Sequence, residues 1–487
     1  MTTLSLKSLA SITARPSYDP AAVAIGVVHF GPGAFHRAHQ LDYLDRLLAR
    51  DPRWGVSGVS LKSVRVRDAL KPQDGLFALS ILDEEPAVRV IGALREVLYG
   101  REDGAVLKAR LAAAQTEVVT LTVTEAGYCL AADGGLDLAH RDVAADIASP
   151  ETPSSALGWI VAGLRARRAA GLRPYTIISC DNLSGNGAKL KAALVSLARE
   201  TDVDLASWLE DTLECPNTMV DSITPATDDS VRRTVEAALG VRDAEPVQRE
   251  AFTDWVIEAH AGGGPDWAAA GALVAPDVAP FADAKLRLLN GAHSSLAYVG
   301  LAAGCETVAQ AMRAPWLADF ARGIMADARA TLHPTPGRDL ADYSEAILKR
   351  FHNPAIRHEL KQIAMDGSQK LPIRVLSVIA DRLRGGATIA RHALTMAAWM
   401  RFVVRSTRSG TKIADPLASA LAELAAGMID AEADVARFLS FRAVFPEALA
   451  AAPPFRDAVS QAYTAMIEAE RSTDPAAALA RMIHAQA

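Results

Sequence analysis

The chain has 487 residues, half of them hydrophobic and 22% charged, with a formal net charge of −6. It is too long for one ordinary core, so two domains are expected, and its slight acidic excess leaves no basic footprint for nucleic acid. Cys129, Cys180, Cys215 and Cys305 are widely separated and show no C-x-x-C spacing, which argues against a disulfide framework or structural zinc and fits a reducing cytoplasm.

The first ten residues lack the continuous apolar core of a secretory signal, and no segment is convincing as a membrane span. Ala24–Phe30 reads as a buried strand running into Gly31-Pro32-Gly33 and a helical pattern from about Phe35 to Leu48. Further strands are expected at Val56–Leu61, Phe77–Leu82, Val118–Thr124 and Thr176–Cys180, with helices at Ala105–Ala114 and Ser155–Ala169 between them. That alternation is the mark of an α/β sheet, which Val220–Ile223 and Thr253–Ile257 are candidates to extend. From Phe281 onward the periodicity is helical. The expected organisation is a Rossmann-like dinucleotide-binding domain over residues 1–280 and a mostly α-helical domain over 281–487, with the boundary in the Pro276–Asp283 region.

A dinucleotide-binding loop asks for G-x-G-x-x-G after a strand, because glycines let the backbone approach a pyrophosphate at a helix N-terminus. Here the run is Gly31-Pro-Gly33-Ala-Phe35-His36, with histidine in place of the third glycine; a plain tight turn would fit the same residues. Arg37 is suited to meet a phosphate or a carboxylate. After the second strand, where an acidic residue normally holds the adenosine ribose of NAD, come Lys62, Ser63, Arg65 and Arg67, a set better suited to a 2′-phosphate, with Asp68 close by. NAD is the expected cofactor and NADP stays open.

Asn182 follows a strand and precedes a helix, a position for an amide donor to a substrate oxygen or for an ordinary cap. Thr124-Glu125 also ends a strand, where a carboxylate can shuttle a proton or bind backbone. Residues 288–305 contain no Asp, Glu, Lys or Arg, yet Asn290 and His293 stand in this stretch just after Lys285. In an α-helix, at about 100° per residue, His293 lies roughly 80° and Asn290 roughly 140° around from Lys285, so all three share a side. A lysine among Leu286, Leu289 and Leu296 has its charged form disfavoured by desolvation, which suits it to act as a general base. A buried core helix with one snorkelling lysine is the plainer reading of each residue alone.

Five ordered motifs bear on that choice: Val28-His29-Phe-Gly-Pro-Gly-Ala-Phe-His-Arg-Ala-His-Gln40, Thr122-Val-Thr-Glu-Ala-Gly-Tyr128, Ser179-Cys-Asp-Asn182, Thr218-Met-Val-Asp-Ser-Ile-Thr-Pro225 and Lys285-Leu-Arg-Leu-Leu-Asn-Gly-Ala-His293. Together with Met365-Asp-Gly-Ser-Gln-Lys-Leu-Pro372 they resemble the long-chain mannitol dehydrogenase family, which includes mannitol 2-dehydrogenases and fructuronate reductases, along nearly the whole chain. The resemblance implies a metal-independent, nicotinamide-linked dehydrogenase acting on a small polyol or sugar acid. Lys285 is then the general acid/base, Asn182 and Asn290 bind the reacting oxygen, and His293 orients substrate. It also implies nucleotide contacts from Val28, His29, Gly31, Gly33, Phe35, His36, Arg37, Thr124 and Glu125.

A zinc alcohol dehydrogenase would need a cysteine and histidine ligand set, and His29, His36 and His39 have no accompanying cysteine. A short-chain reductase would need Tyr-x-x-x-Lys, which none of the eight tyrosines supplies. A dinucleotide-binding sensor without catalysis is the reading from another class, disfavoured by Lys285, Asn182, Asn290 and His293 together. Fructuronate differs from fructose by a carboxylate at the far end, so a fixed cation would discriminate, and Lys370 and Arg374 are the candidates, with solvated helix charges the alternative reading. Asp221 is suited to sugar hydroxyls, to holding Lys285, or to a structural ion pair. Because Asp366-Gly-Ser-Gln-Lys-Leu-Pro372 resembles the fructuronate reductase members more, fructuronate is the preferred substrate and fructose/mannitol the alternative, on a monomer or weak homo-oligomer.

Overall fold

The computed structural model describes residues 2–83, 85–430 and 432–484, and the chain divides into two compact units, Met1–Ala279 and Pro280–Ala487. In the first unit the strands are β1 (Ile25–Phe30), β2 (Gly55–Ser60), β3 (Phe77–Leu82), β4 (Ala87–Ile91), β5 (Leu94–Tyr99), β6 (Val118–Leu121), β7 (Thr176–Ser179), β8 (Thr218–Asp221), β9 (Val247–Glu250), β10 (Asp254–Glu258) and β11 (Leu273–Ala275).

Five of them form a parallel sheet in the order β5-β2-β1-β6-β7. The chain builds outward from β1 through β2 to β5, then returns to lay β6 and β7 on the other side. The carboxyl ends of β1 and β6 therefore flank the switch point where such sheets bind ligands. Helices cover both faces, which is why these strands read as continuous apolar runs. Val28, Phe30, Val119, Leu121 and Ile177 pack with Trp159, Ile160 and Leu194 on one face. Val27, Val56, Val118 and Ile178 pack with Leu41, Leu44 and Leu47 on the other.

Three expectations are corrected here. Phe77–Leu82 does not join the parallel sheet: β3 pairs antiparallel with β4 and parallel with β9 in a sheet of its own, and β5 takes the edge place beside β2. Only four residues separate β3 from β4 in sequence, too few for the crossover that a parallel neighbour needs. Nor do the segments near 220 and 255 extend the main sheet, because β8 pairs antiparallel with β10 and, with β11, makes a third sheet. The helix expected over Phe35–Leu48 is two helices, α1 (Ala34–Ala38) and α2 (Gln40–Leu47), broken at His39. Gln40 Nε2 donates to His39 Nδ1 at 2.9 Å, leaving His39 Nε2–H to donate to the Asp254 carbonyl at 3.0 Å.

The second unit is helical, with no strand among its described residues. Long helices at Pro315–Arg329 and Ala390–Arg408 pack against the helix Gly291–Ala302, which is buried for most of its length, and Pro453–Arg471 packs on Ala390–Arg408. The expected α-helix from Lys285 begins instead as a π turn, Lys285–Asn290, and becomes α at Gly291; a second π turn spans Pro372–Leu376. The α-helical angles relating Lys285 to Asn290 and His293 therefore do not hold, because i→i+5 bonding widens the turn. No helix among the described residues is long and apolar enough to cross a membrane.

Candidate active site

The glycine loop sits at the end of β1. Gly31 has φ +92°, and a Cβ there would lie 2.2 Å from the Thr122 carbonyl oxygen, so only glycine fits. Among the described residues the only atom near a Cβ added at Gly33 is the Gly31 oxygen, 3.8 Å away, leaving an open cradle in front of the loop that a side chain would fill. The Thr122 hydroxyl donates to the Gly31 carbonyl at 2.7 Å. The His29 ring braces the loop from beneath, with Nδ1 2.7 Å from Thr120 Oγ1 and Nε2 2.9 Å from Thr122 Oγ1.

His36 lies flat on His29, ring centroids 3.2 Å apart, in the place where a third glycine would bring helix and strand together. Both rings are fully buried. Burial pushes the His29 pKa down to about 3. Burial, then the neighbouring His29, Arg37 and His39, hold His36 well below the usual histidine range. Neither His36 ring nitrogen has a hydrogen-bond partner among the described residues.

Several of the residues expected at the nucleotide lie beneath the loop. Val28 is core packing, and His29 and His36 support the loop from inside. Arg37 meets a carboxylate rather than a phosphate: it is 3% exposed, donates to the Glu245 carbonyl at 2.5 Å, and lies 3.3 Å from Glu245 Oε2. Its Nε also donates to the Pro32 carbonyl at 3.3 Å. Gly31, Gly33 and the half-buried Phe35, stacked on His39, remain available at the loop.

Across the switch point, β6 stops at Leu121 and the chain turns through Thr124, which has φ +65°. Asp181, at the end of β7, holds that turn. Its carboxylate accepts the Thr124 amide at 2.9 Å, the Val123 amide at 3.0 Å and the Tyr128 hydroxyl at 2.8 Å, while burial raises its pKa. Asp181 was legible only as the neighbour of Asn182. Thr124, Glu125 and Asn182 are exposed along this edge. Asp221 ends β8, buried and opposite Asp254 in the antiparallel pair.

In the helical unit, Lys285 and His293 are 9% and 8% exposed and Asn290 is half-buried. The His293 ring stacks on Phe351 at 4.8 Å and meets His358 edge-on at 4.5 Å. Burial, then the charges of His358, Arg350, Arg374 and Lys370, hold His293 well below the usual range, so the imidazole is neutral at physiological pH. Arg374 donates to Ser294 Oγ at 3.1 Å, and Lys370 to the Met365 carbonyl at 2.7 Å with Asp366 at 3.5 Å. Burial, then Arg374, lowers the Lys370 pKa. The fold thus gathers His293, Lys370 and Arg374, and adds Phe351, His358 and Arg350, which no periodicity marks. Among the described residues no group of three or more His, Cys, Asp and Glu side chains is arranged to hold a metal.

A parallel sheet with a glycine loop at its switch point, followed by a separate helical unit, defines a Rossmann-type dehydrogenase of two parts. Residues 25–269 match the mannitol dehydrogenase Rossmann domain and residues 277–467 the mannitol dehydrogenase C-terminal domain, so the chain belongs to the mannitol dehydrogenase family. It is 39% identical over 467 residues to D-mannonate oxidoreductase of Escherichia coli (strain K12), spanning 93% of this chain and 96% of the relative. In structure it is similar to Pseudomonas fluorescens mannitol 2-dehydrogenase, solved as a ternary complex with NAD and D-mannitol (TM-score 0.81, 33% identity, 99% of this chain and 100% of that one). It is also similar to D-sorbitol dehydrogenase in substrate-free form (TM-score 0.89, 30% identity, 98% and 100%). The chain is an oxidoreductase of this family, and its Rossmann unit supports a nicotinamide cofactor.

Proposed function

We propose that the protein interconverts fructuronate and mannonate, reducing or forming the keto group at C2, with NAD(H) as hydride partner and no metal. The observation that carries the choice of a sugar acid is the placement of Lys370 and Arg374 beside His293, two cations suited to a substrate carboxylate. The open cradle at Gly33 and the tight approach at Gly31 fit the cofactor's pyrophosphate.

Bound there, the nicotinamide nucleotide supplies hydride in reduction and accepts it in oxidation. In oxidation Lys285 takes the proton of the substrate hydroxyl; in reduction its ammonium returns a proton to the nascent alkoxide. The Asn290 amide donates to the same oxygen, and such a donor is worth about 3 kcal/mol when preorganised. Neutral His293, fixed between Phe351 and His358, orients a sugar hydroxyl through Nε2, which has no partner among the described residues. Thr124, Glu125 and Phe35 are assigned to the cofactor's surroundings and Asp221 to positioning.

Mannitol and fructose are the second reading, favoured by the Asp366 carboxylate that already faces Lys370. Comparing kcat/KM for fructuronate and fructose, each with NADH and NADPH, decides between them. A fructose value above the fructuronate value would overturn the sugar-acid assignment, and no turnover of either would leave a dinucleotide-binding sensor.

A further inference from the structure

The turn after β2 is where a Rossmann unit chooses between NAD and NADP, by a carboxylate on the ribose hydroxyls or a cation on the 2′-phosphate. This chain places no carboxylate at the tip: Ser60 closes the turn by donating to the Ser63 carbonyl at 2.6 Å, and Lys62 follows Leu61. The attractive element for NAD is missing, and three cations, Lys62, Arg65 and Arg67, stand in its place.

The two arginines are not free, however. Arg65 is held at 2.7 Å by Glu245, a carboxylate only 8% exposed that also pairs with the buried Arg37 of α1. Glu245 thereby ties the helix after the glycine loop to the helix after β2. Arg67 is held by Glu102 at 2.6 Å and Asp68 at 2.8 Å, with Asp103 at 3.6 Å, and lies over the Tyr99 ring. Arg37, Arg65 and Arg67 are thus each matched by a carboxylate, from Glu245 or from Asp68, Glu102 and Asp103. Lys62 alone of the three turn cations has no ion-pair partner among the described residues.

We infer that Glu245 and Glu102 are specificity-determining residues that reserve the cofactor site for NAD(H), by neutralising the arginines a 2′-phosphate would need. Discrimination is achieved by withholding a partner from the wrong cofactor rather than by gripping the right one. This rests on the nicotinamide reading above and deepens it.

The test is fluorescence titration of the purified protein with NADH and with NADPH in the absence of sugar, so an error in the substrate leaves the readout intact. The wild-type chain should bind NADH roughly tenfold tighter or more, the scale of one lost hydrogen bond to a charged group. Glu245→Gln frees Arg65, and Glu102→Gln, at an exposed position, removes the nearest of the three carboxylates around Arg67 without disturbing a buried pair. Each should raise NADPH affinity relative to NADH by about tenfold, less at high salt. Arg65→Ala in the Glu245→Gln background should remove that gain. Equal binding of the two cofactors by the wild-type chain, or an unmoved ratio in Glu102→Gln, would overturn the inference. Binding of neither cofactor would overturn the nicotinamide reading itself.

Discussion

Gly291 faces the main-chain carbonyl of Arg374 so closely that a Cβ would come within 3.1 Å of its oxygen. The two π turns therefore touch through backbone: Lys285–Asn290 ends where Gly291 begins, and Arg374 lies within Pro372–Leu376. π turns concentrate at functional sites, and this contact couples the turn bearing the proposed base to the turn bearing the proposed carboxylate-binding cation. Gly291→Ala should separate them, destabilising the protein by about 1–2 kcal/mol through overpacking and raising KM for the sugar acid. Thermal unfolding and steady-state kinetics give both numbers, and an alanine variant unchanged in either would refute the coupling.

The two loop glycines should respond in opposite ways. Gly31→Ala meets both a positive φ and the Thr122 carbonyl, so soluble folded protein should be lost or stability should drop by several kcal/mol. Gly33→Ala has room in the free protein and should unfold within about 0.5 kcal/mol of the parent, yet bind NADH at least roughly tenfold more weakly. Denaturant titration paired with NADH binding separates these outcomes. Undiminished NADH affinity in Gly33→Ala would contradict a cofactor in the cradle.

Lys285→Ala should lower kcat by roughly 10²–10⁴-fold, the usual range for a general acid/base, while NADH binding stays near normal. Partial rescue by added primary amines, which can replace the missing proton carrier, would distinguish chemistry from packing. Near-normal turnover at neutral pH would remove Lys285 from the mechanism.

Stability should depend on pH through two opposed groups of buried side chains. His29 and His392 are held neutral, near 3 against an ordinary 6.5, by burial. Their contribution is complete above pH 6.5 and is lost as pH falls toward 3. Asp45 is shifted the other way, from 3.8 to about 6, by burial that outweighs its bonds to Tyr18 and the Gly92 amide. Its contribution is complete below about pH 4 and lost as pH rises through 6. Asp45→Asn should therefore gain on the parent by up to about 3 kcal/mol between pH 4 and 7 in urea unfolding. A pH-independent difference between the two proteins would show that Asp45 is ionised at little cost.

The glycine loop, the alternation of strands and helices and the Lys285–His293 trio were legible because each is written in neighbouring residues. β5 was not, since Arg95 and Glu96 interrupt its apolar run at the sheet edge. His29, His36 and Arg37 stood out as a motif, but their burial beneath the loop was hidden, because whether a polar residue after a strand faces ligand or core depends on what packs over it. Phe351 and His358 gave no signal, being aligned on His293 only by the path of the chain around Asn353 and Pro354.

By itself, then, the sequence determined most element types, the two-part organisation and a set of candidate residues for the chemistry, because hydrophobic period, glycine placement and side-chain type are local properties. Tertiary structure decided which strands share a sheet, that the Lys285 helix opens as a π turn, and which charges are already spent. The pairing of Arg37 and Arg65 with Glu245, some two hundred residues away in sequence, has no local trace. Desolvation and ion pairing depend on distances that exist only once the chain has packed.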